Sequence, residues 1–386
     1  MASDVPLPEA ARALGRRISE RTSEIEELRR LPRDLVDALV DSGIFTACVP
    51  AELGGLEAPV AELLEAVKEL GYHDGAVGWC AMVGATTGLT AGYLPDAWAV
   101  EIYGSDPRVV TGGFAAPVGR ARAADGGLVV SGRWQWGSGI HHCSWIGGGC
   151  LLVDDAGQPT ERDGLRAPFV FFEPEQVEIL DTWHVSGLEG TGSTDYETHD
   201  AFVPEGRWVQ LFLDPPRVTT ALYRFPFVGL LALGVAAVAL GLARRGVDEL
   251  VSLATGKTPQ GSSRTLAERP VVQAEVAQAE AAFRSSRALV REAVEEAWAS
   301  ASEDSPLTVE HRRRLRLAAT NATQRSAHAV DLAYRAGGGS ALYRSSPLQK
   351  VFRDVHAATQ HAMVAPRTDE LVGRLALGLD TDVTQL

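Results

Sequence analysis

Two stretches of the sequence decide the fold: WQWGSG at 134–139 and DTWHVSGLEGTGSTD at 181–195. The first places two indoles, Trp134 and Trp136, on one face of a strand and then turns a Gly-Ser-Gly corner that carries the Ser138 hydroxyl. The second leads from aromatic side chains into a turn whose backbone N–H groups and hydroxyls could hold a polar ring or a phosphate. Either stretch alone also suits a packed β-core. Together they favour a site for a planar aromatic cofactor.

The hydrophobic period around these stretches predicts three regions. It is two between about Val109 and Val209, with Gly, Asp and Pro turns, which is typical of antiparallel strands. The flanking regions show helical spacing, and the second contains four long helices with short connections, Val218–Leu253, Val271–Ser300, Val309–Ala336 and Ser346–Leu377. We therefore predict an α+β, mainly α, protein with an N-terminal helical domain (1–106), an antiparallel β-domain (107–214) and a C-terminal four-helix bundle (215–386).

The charge balance limits the kind of partner. The 386 residues include 36 Lys and Arg against 50 Asp and Glu, a formal charge of -14. Such a surface repels phosphate backbones and anionic lipid, so nucleic acid and membrane surfaces are not expected partners.

One apolar run leaves two alternatives open. FPFVGLLALGVAAVALGLA, at 225–243, has no charged residue and is long enough for a transmembrane span. Its Ala, Gly, Leu and Val content suits a helix buried among other helices, and we favour that alternative.

The cysteines and the N-terminus indicate a cytoplasmic location. Cys48, Cys80, Cys143 and Cys150 form no C-x-x-C pair, which argues against a zinc site or a disulfide framework. The sequence MASDVPLPEAARALG has no basic segment followed by an apolar stretch, so we expect no secretory signal.

Several common site motifs are missing. No Walker loop, H-E-x-x-H or G-x-S-x-G motif occurs, and GTGSTD at 190–195 is only a broken G-x-G-x-x-G. His141 and His142 would face opposite ways in extended structure and have no further ligand at a suitable spacing. We therefore predict no metal site and no nicotinamide-binding site.

With the order of the three regions, the two stretches above and SSPLQKVFRDVHAATQHA at 345–362, the sequence resembles the acyl-CoA dehydrogenase superfamily over almost its whole length. The resemblance implies a bound flavin, with Trp136 against the ring face and Ser138 at the reactive nitrogen and carbonyl edge. The turn near the cofactor would comprise Gly190, Thr191, Gly192 and Ser193. An Arg before a Gln-containing helix often binds the pyrophosphate across a subunit contact, which implies Arg264, with Arg269 as a competitor.

The branch of the superfamily depends on a missing carboxylate. A dehydrogenase needs a carboxylate base to remove a proton next to a thioester carbonyl. The two positions that carry this base in the family match Ala362 and, approximately, Arg224. His361 precedes the first of them. This pattern, with W-x-W-x-S-G followed by I-H-H, resembles the reduced-flavin monooxygenases, such as the oxygenase components of two-component phenol hydroxylases.

That resemblance implies the activity. A separate NAD(P)H:flavin reductase would supply reduced FAD, or FMN, and a hydroperoxyflavin formed with O2 would oxygenate an aromatic or polycyclic, phenol- or indole-like molecule. Ser138 would hydrogen-bond the adduct, and His361, with an ordinary pKa of about 6.5, would exchange a proton with the substrate. Arg224 and Trp183 would line the substrate, and the assembly would be a homotetramer.

Three alternatives stay open. The protein could be an acyl-CoA dehydrogenase with a displaced base, acting on a thioester, or a catalytically silent scaffold. His361 could also be only a satisfied, partly buried residue on the terminal helix that it would share with His356.

Overall fold

The N-terminal region is helical, as predicted. The computed structural model describes residues 5–386, so Met1–Asp4 of the predicted first domain lie outside the described residues. The helix that begins at Gly75 starts there because the carboxylate of Asp74 accepts hydrogen bonds from the backbone N–H groups of Ala76 (2.8 Å) and Val77 (3.2 Å). The helices are α1 (Leu7–Ser19), α2 (Thr22–Leu28), α3 (Arg33–Asp41), α4 (Val60–His73), α5 (Gly75–Thr87) and α6 (Asp96–Ala99).

The middle region forms one seven-stranded sheet in the order β5-β6-β2-β1-β3-β4-β7. Its strands are β1 (Thr111–Ala124), β2 (Gly127–Gly137), β3 (Trp145–Val153), β4 (Phe169–Phe172), β5 (Glu178–Ile179), β6 (Thr194–Pro204) and β7 (Trp208–Val209). The antiparallel prediction needs one correction, because β1 and β3 pair in parallel. Strand β2 returns the chain to the end where β1 begins, and the corner at 138–144 crosses to the far side of β1. Strand β3 therefore runs in the same direction as β1.

The C-terminal region is a helical bundle, with α7 (Ala221–Arg224), α8 (Phe227–Gly256), α9 (Pro270–Ser302), α10 (Val309–Gly337), α11 (Pro347–Thr359) and α12 (Arg367–Ala376). Helix α8 contains the apolar run, and 78% of its most apolar window is buried inside the protein. A Cβ at Gly241 would lie 2.3 Å from the Lys68 carbonyl oxygen of α4. The small residues of α8 thus allow close helix packing, and the buried-helix prediction is confirmed.

The fourth long helix of the sequence prediction is in fact two helices. Helix α11 ends at Thr359, a short 3₁₀ turn covers Ala362–Val364, and α12 begins at Arg367. Pro366 explains why the chain is extended just before α12, because the residue before a proline is pushed out of the helical region, and Ala365 has an extended ψ of 148°. The end of α11 comes earlier, where His361 is already extended with a ψ of 132°. The break places residues 360–366 in a loop rather than on a helix face.

Helix α5 connects the three regions. It contacts α8 and α11 of the bundle, β1 of the sheet and the 3₁₀ turn at Glu189–Thr191. The largest cluster of buried apolar side chains likewise draws on all three regions. The changes of secondary structure fall near residues 106 and 214, although the domain boundaries themselves stay predictions.

Candidate active site

The corner after β2 separates the two indoles that the sequence pattern places together. Trp134 is fully buried, stacks on Tyr196 with ring centroids 5.3 Å apart, and donates its indole N–H to the Gly149 carbonyl (2.8 Å). Trp136 is 56% exposed and has a φ of 60°. The same-face prediction is therefore wrong. The pairing of β2 with β6 shifts register between Trp134 and Gly137, and this irregularity turns Trp136 outward.

The Ser138 hydroxyl lies at the start of a chain of hydrogen bonds. It accepts the indole N–H of Trp79 (3.0 Å) and lies 2.7 Å from the Ser193 hydroxyl, which is 2.6 Å from that of Thr191. The Thr191 hydroxyl donates to the Leu188 carbonyl (2.8 Å). The structure thus brings together Ser138, Thr191 and Ser193, three of the predicted cofactor-binding residues.

The direction of this chain follows from counting protons. Thr191 has one hydroxyl proton, which is used toward Leu188, so Ser193 must donate to Thr191 and Ser138 must donate to Ser193. The Ser138 hydroxyl then donates its one proton to Ser193 and accepts the indole N–H of Trp79 with one lone pair, and its second lone pair is free. In this arrangement the Ser138 hydroxyl can accept one further hydrogen bond but cannot donate one.

The predicted cofactor turn is tightly fixed. Leu188 and Gly192 both have left-handed φ angles, 52° and 54°, and a Cβ at Gly190 would lie 2.1 Å from Ile25 of α2. Trp183 donates its indole N–H to the carbonyls of Leu188 (3.3 Å) and Glu189 (3.1 Å). Its indole N–H therefore braces the turn, and its role in binding substrate stays a prediction.

A buried ion network holds the turn against the helices. The Asp354 carboxylate accepts the Leu188 backbone N–H (2.7 Å) and the Lys350 ammonium (2.6 Å), and Lys350 also pairs with Asp74 (3.2 Å). Arg353 extends the network to Glu189 (2.6 Å). Since Asp74 caps α5, the network ties α11, the turn and the helix that carries Trp79 to one another.

Trp79 is the residue that sequence reasoning missed. It is 8% exposed on α5, its N–H bonds Ser138, and its ring meets that of His361 edge-on with centroids 5.5 Å apart. One indole therefore contacts both predicted catalytic residues. A lone Trp in the Gly- and Ala-rich segment GAVGWCAMVGATT, directly after a helix-capping Asp, was the available signal.

His361 does not lie on the terminal helix, contrary to the sequence prediction. It caps the 3₁₀ turn in the break between α11 and α12, and its Nδ1 accepts the backbone N–H of Met363 (3.3 Å). This contact assigns the proton of the neutral imidazole to Nε2. His356 stays on α11, where it pairs with Asp331 (2.9 Å), so the two histidines occupy different surroundings.

The ordinary pKa expected for His361 is also wrong. Burial, together with the positive charge of Arg316 on α10, lowers the pKa of His361 to about 4. The imidazole is therefore neutral at pH 7 and presents an Nε2–H group. This state can donate a hydrogen bond, but it is a weaker base than the sequence-based hypothesis assumed.

Two predicted arginines are not joined to this cluster. Arg224 donates to the Ala301 carbonyl (2.7 Å) at the end of α9 and pairs with Asp304 (3.3 Å). Arg264 is exposed in the connection after α8. The role expected for Arg264, binding the pyrophosphate across a subunit contact, would involve a second copy of the chain. The substrate contact expected for Arg224 and the pyrophosphate contact expected for Arg264 therefore stay predictions.

The adjacent histidines are not part of a metal-binding cluster in residues 5–386, where no group of three His, Cys, Asp or Glu side chains could hold a metal ion. His142 packs against Phe45, with ring centroids 5.8 Å apart, and burial lowers its pKa to about 4. It is a neutral packing residue beside the corner.

Comparison with known proteins gives the family. Models of the acyl-CoA dehydrogenase N-terminal and C-terminal domains match residues 7–97 and 233–366. Indole-3-acetate monooxygenase of Pseudomonas putida is 33% identical over 94% of this chain and 92% of its own length. The flavin-dependent monooxygenase oxygenase subunit HsaA of Rhodococcus jostii is 30% identical over 90% of this chain and 92% of its own length.

Solved structures agree with the sequence relatives. The 3-HSA hydroxylase from Rhodococcus sp. superimposes with a TM-score of 0.90 at 27% identity, covering 99% of this chain and 100% of that one. XiaF from Streptomyces sp., in complex with FADH2 and glycerol, gives a TM-score of 0.91 at 26% identity, covering 97% and 95% of the two chains. The chain therefore belongs to the acyl-CoA dehydrogenase superfamily and, within it, to the flavin-dependent monooxygenases.

Proposed function

We propose that this chain is the oxygenase component of a two-component monooxygenase that oxygenates a phenol- or indole-like aromatic molecule. Bound reduced flavin would supply the activation of O2. The observation that carries the proposal is the Ser138 hydroxyl, which is fixed as a hydrogen-bond acceptor beside Trp79 and a neutral His361.

The residues at the corner fit a flavin ring. Trp136 is exposed next to Phe114, with ring centroids 5.8 Å apart, so the two aromatic side chains offer a surface that a planar ring can cover. Ser138 can accept one more hydrogen bond there. A reduced flavin ring carries an N–H donor at its reactive nitrogen that the oxidised ring lacks, so the free lone pair of Ser138 favours the reduced form. Both FAD and FMN satisfy this argument.

His361 would handle the proton of the substrate. Its Nδ1 is occupied by the Met363 N–H, and its ring is held against Trp79. The Nε2–H group would donate a hydrogen bond to the hydroxyl oxygen of a phenol. In the tautomer that carries its proton on Nδ1 and releases Met363, Nε2 would instead take up the hydroxyl proton as the ring is attacked. The apolar faces of Trp79 and the bundle would exclude water from the site.

A dehydrogenase is the second candidate, and the electrostatics of the site disfavour it. Within residues 5–386, no Asp or Glu side chain hydrogen-bonds Trp79, Ser138 or His361. The buried carboxylates of the network, Asp74 and Asp354, are paired with Lys350. Removal of a proton next to a thioester carbonyl would therefore have no carboxylate base.

Three further features of the proposal rest on indirect support. A separate reductase is needed because the sequence has no nicotinamide-binding motif. The exposed apolar side chains of Leu342 (68%), Tyr343 (70%) and Leu377 (77%) support association into a homotetramer. The four cysteines are buried and unpaired, which supports a reducing, cytoplasmic location.

The test is turnover with an unrelated flavin reductase, NADH, FAD and O2 in the presence of indole, phenol or indole-3-acetate. We expect an oxygenated product whose amount follows the reductase added. In a parallel assay, a panel of acyl-CoA thioesters should fail to bleach oxidised FAD bound to the protein. Bleaching by a thioester, with no oxygenated product, would contradict the proposal and select the dehydrogenase. No reaction in either assay would indicate a silent scaffold.

A further inference from the structure

One buried arginine has no negatively charged partner. Arg316 on α10 is 4% exposed, and its guanidinium donates to the Met363 thioether (3.4 Å) and to the Thr368 hydroxyl (3.2 Å). Its Nε has no hydrogen-bond partner. It takes part in none of the ion pairs formed by residues 5–386, and neither acceptor carries a charge. Burying a cation without a counter-charge is strongly unfavourable.

Arg207 shows how the same chain treats another arginine of equal burial. Arg207 is 3% exposed, and its guanidinium pairs with the Glu173 carboxylate (3.0 Å) and the Gln176 side-chain oxygen (2.9 Å). Its Nε lacks a hydrogen-bond partner, as the Nε of Arg316 does, so the two arginines differ in counter-charge. The charge of Arg207 is compensated within the fold. The charge of Arg316 is not compensated within the fold. Burial, together with the positive charge of Arg367, lowers the pKa of Arg316 to about 10, so the guanidinium is still protonated at pH 7.

A second unpartnered polar group lies one helical turn away. Thr320 is fully buried, and its hydroxyl has no hydrogen-bond partner. Residues four apart share a face of a helix, so the guanidinium and this hydroxyl lie on the same side of α10. A guanidinium can hold a carboxylate by charge-assisted hydrogen bonds, and a neighbouring hydroxyl can donate one more.

The location links this pair to the active site. Met363, which contacts the guanidinium, also donates its backbone N–H to His361. The aromatic part of a ligand held against His361 and Trp79 would therefore place a short acidic side chain toward Arg316.

We propose that Arg316 and Thr320 bind the carboxylate of the substrate, and that the substrate is therefore an aromatic acid. This inference rests on the proposed function, since it places the aromatic ring at His361. A flavin phosphate is the other source of an oxyanion, and the experiment separates the two. The Met363 contact favours the carboxylate, because it places the Arg316 guanidinium beside His361, where the aromatic ring of the substrate is proposed to lie.

The experiment is an anaerobic binding titration of the protein loaded with reduced FAD. The probes are two matched pairs, indole-3-acetate with indole-3-acetamide and 4-hydroxyphenylacetate with its amide. We expect each acid to bind about ten- to a hundredfold more tightly than its amide, the range for hydrogen bonds to a charged group. Arg316→Met should abolish this preference, because it should weaken binding of each acid far more than binding of its amide, whose carbonyl accepts only a neutral-type hydrogen bond from the guanidinium. Arg316→Lys should keep part of it, and Thr320→Val should reduce it less than Arg316→Met does.

Arg325→Met is the matched control, because Arg325 lies on the same helix but is exposed. This variant should keep the full preference for the acids. A thermal-melting series gives an independent readout. Without ligand, Arg316→Met should melt at a higher temperature than the parent, since it removes an uncompensated buried charge, and only the parent should gain stability from the acids.

Three results would overturn the proposal: absent binding of both acids, equal affinity for acid and amide, or an unchanged preference in Arg316→Met. Weaker binding of reduced FAD by Arg316→Met, with the acid preference intact, would also overturn it and would assign the site to a flavin phosphate. Failure of the proposed function gives a different pattern, because then no aromatic molecule, charged or neutral, is oxygenated whatever the binding preference.

Discussion

The two sides of the candidate active site are built in opposite ways. On the β-domain side, the hydroxyls of Ser138, Ser193 and Thr191 and the indole of Trp79 are joined in one directed chain of hydrogen bonds. On the bundle side, His361 lies in a break between helices, and Arg316 is buried without a carboxylate. The hydroxyls of the first side are bonded to one another in the protein alone, whereas the second side leaves a charge without a counter-charge and a hydroxyl without a hydrogen-bond partner.

This difference indicates a division of labour. Groups that are already hydrogen-bonded to one another hold a fixed geometry, as a site does that must receive the same ring in each turnover. Buried groups that are left unpaired destabilise the fold until a ligand of suitable charge binds to them. The β-domain side is therefore suited to hold the flavin, and the bundle side to select the substrate.

The largest expected effect is on the bundle side. His361→Asn removes proton exchange at the substrate, and we expect product formation to fall by roughly 10²–10⁴-fold while consumption of O2 continues. His356→Asn is the control, because His356 pairs with Asp331 and is not bonded to the cluster. Rapid-mixing measurements of both variants check this. Parental turnover by His361→Asn, or failure of His356→Asn alone, would show that the wrong histidine has been assigned.

The network behind the β-domain side should be the next most sensitive. Asp354→Ala leaves Lys350 with one carboxylate fewer and the Leu188 N–H unpaired, which should lower the free energy of unfolding by about 3–5 kcal/mol. Asp331→Ala removes a half-exposed carboxylate and should cost at most about 1 kcal/mol. Urea unfolding measures both. Similar losses in the two variants would mean that the network does not hold the turn.

The pH dependence of stability tests the surroundings of His361. Its pKa is about 4 in the folded protein and about 6.5 when unfolded, so the unfolded state binds the proton first as the pH falls. The fold should lose up to about 3 kcal/mol between pH 6.5 and 4 for this reason, and nothing above pH 7. His361→Asn should reduce this acid-side loss in urea titrations. An identical loss in the variant would indicate that the imidazole titrates normally.

The smallest effect concerns a single hydrogen bond on the β-domain side. Ser138→Ala removes the acceptor offered to the flavin, which is worth roughly 0.5–1.5 kcal/mol, or a few-fold to tenfold in affinity for reduced FAD. More hydrogen peroxide should be released per NADH consumed, at the expense of product. Ser131→Ala, in the preceding strand β2 and bonded to Asp200, should behave like the parent. Unchanged peroxide release and affinity in Ser138→Ala would make the serine a turn residue only.

The sequence predicted the β-domain side better than the bundle side. The stretches at 134–139 and 181–195 are local, and their turn residues carry their own conformational signal, so Ser138, Thr191 and Ser193 could be brought to one site. The orientation of Trp136 could not be predicted, because it depends on a register shift between β2 and β6. Trp79 lies far away in the sequence and joins the site only through packing of α5.

The bundle side depends on contacts that periodicity does not show. Helical spacing continues through residues 346–377, so the pattern alone predicts one helix there. Pro366 was the only local signal that this helix is interrupted between Thr359 and Arg367. The low pKa of His361 depends on burial and on Arg316 of another helix, so it is a tertiary property. Arg316 itself stands in a basic stretch of α10, and only its deeper burial distinguishes it from Arg312, Arg313 and Arg314.

The comparison of reduced with oxidised FAD in an anaerobic titration of the parent protein tests the acceptor role of Ser138. Because Ser138 can accept but not donate, we predict that reduced FAD binds a few-fold to about tenfold more tightly than oxidised FAD. The protein should also purify with little flavin. Equal or tighter binding of oxidised FAD, or a yellow protein that keeps stoichiometric FAD through gel filtration, would contradict the account.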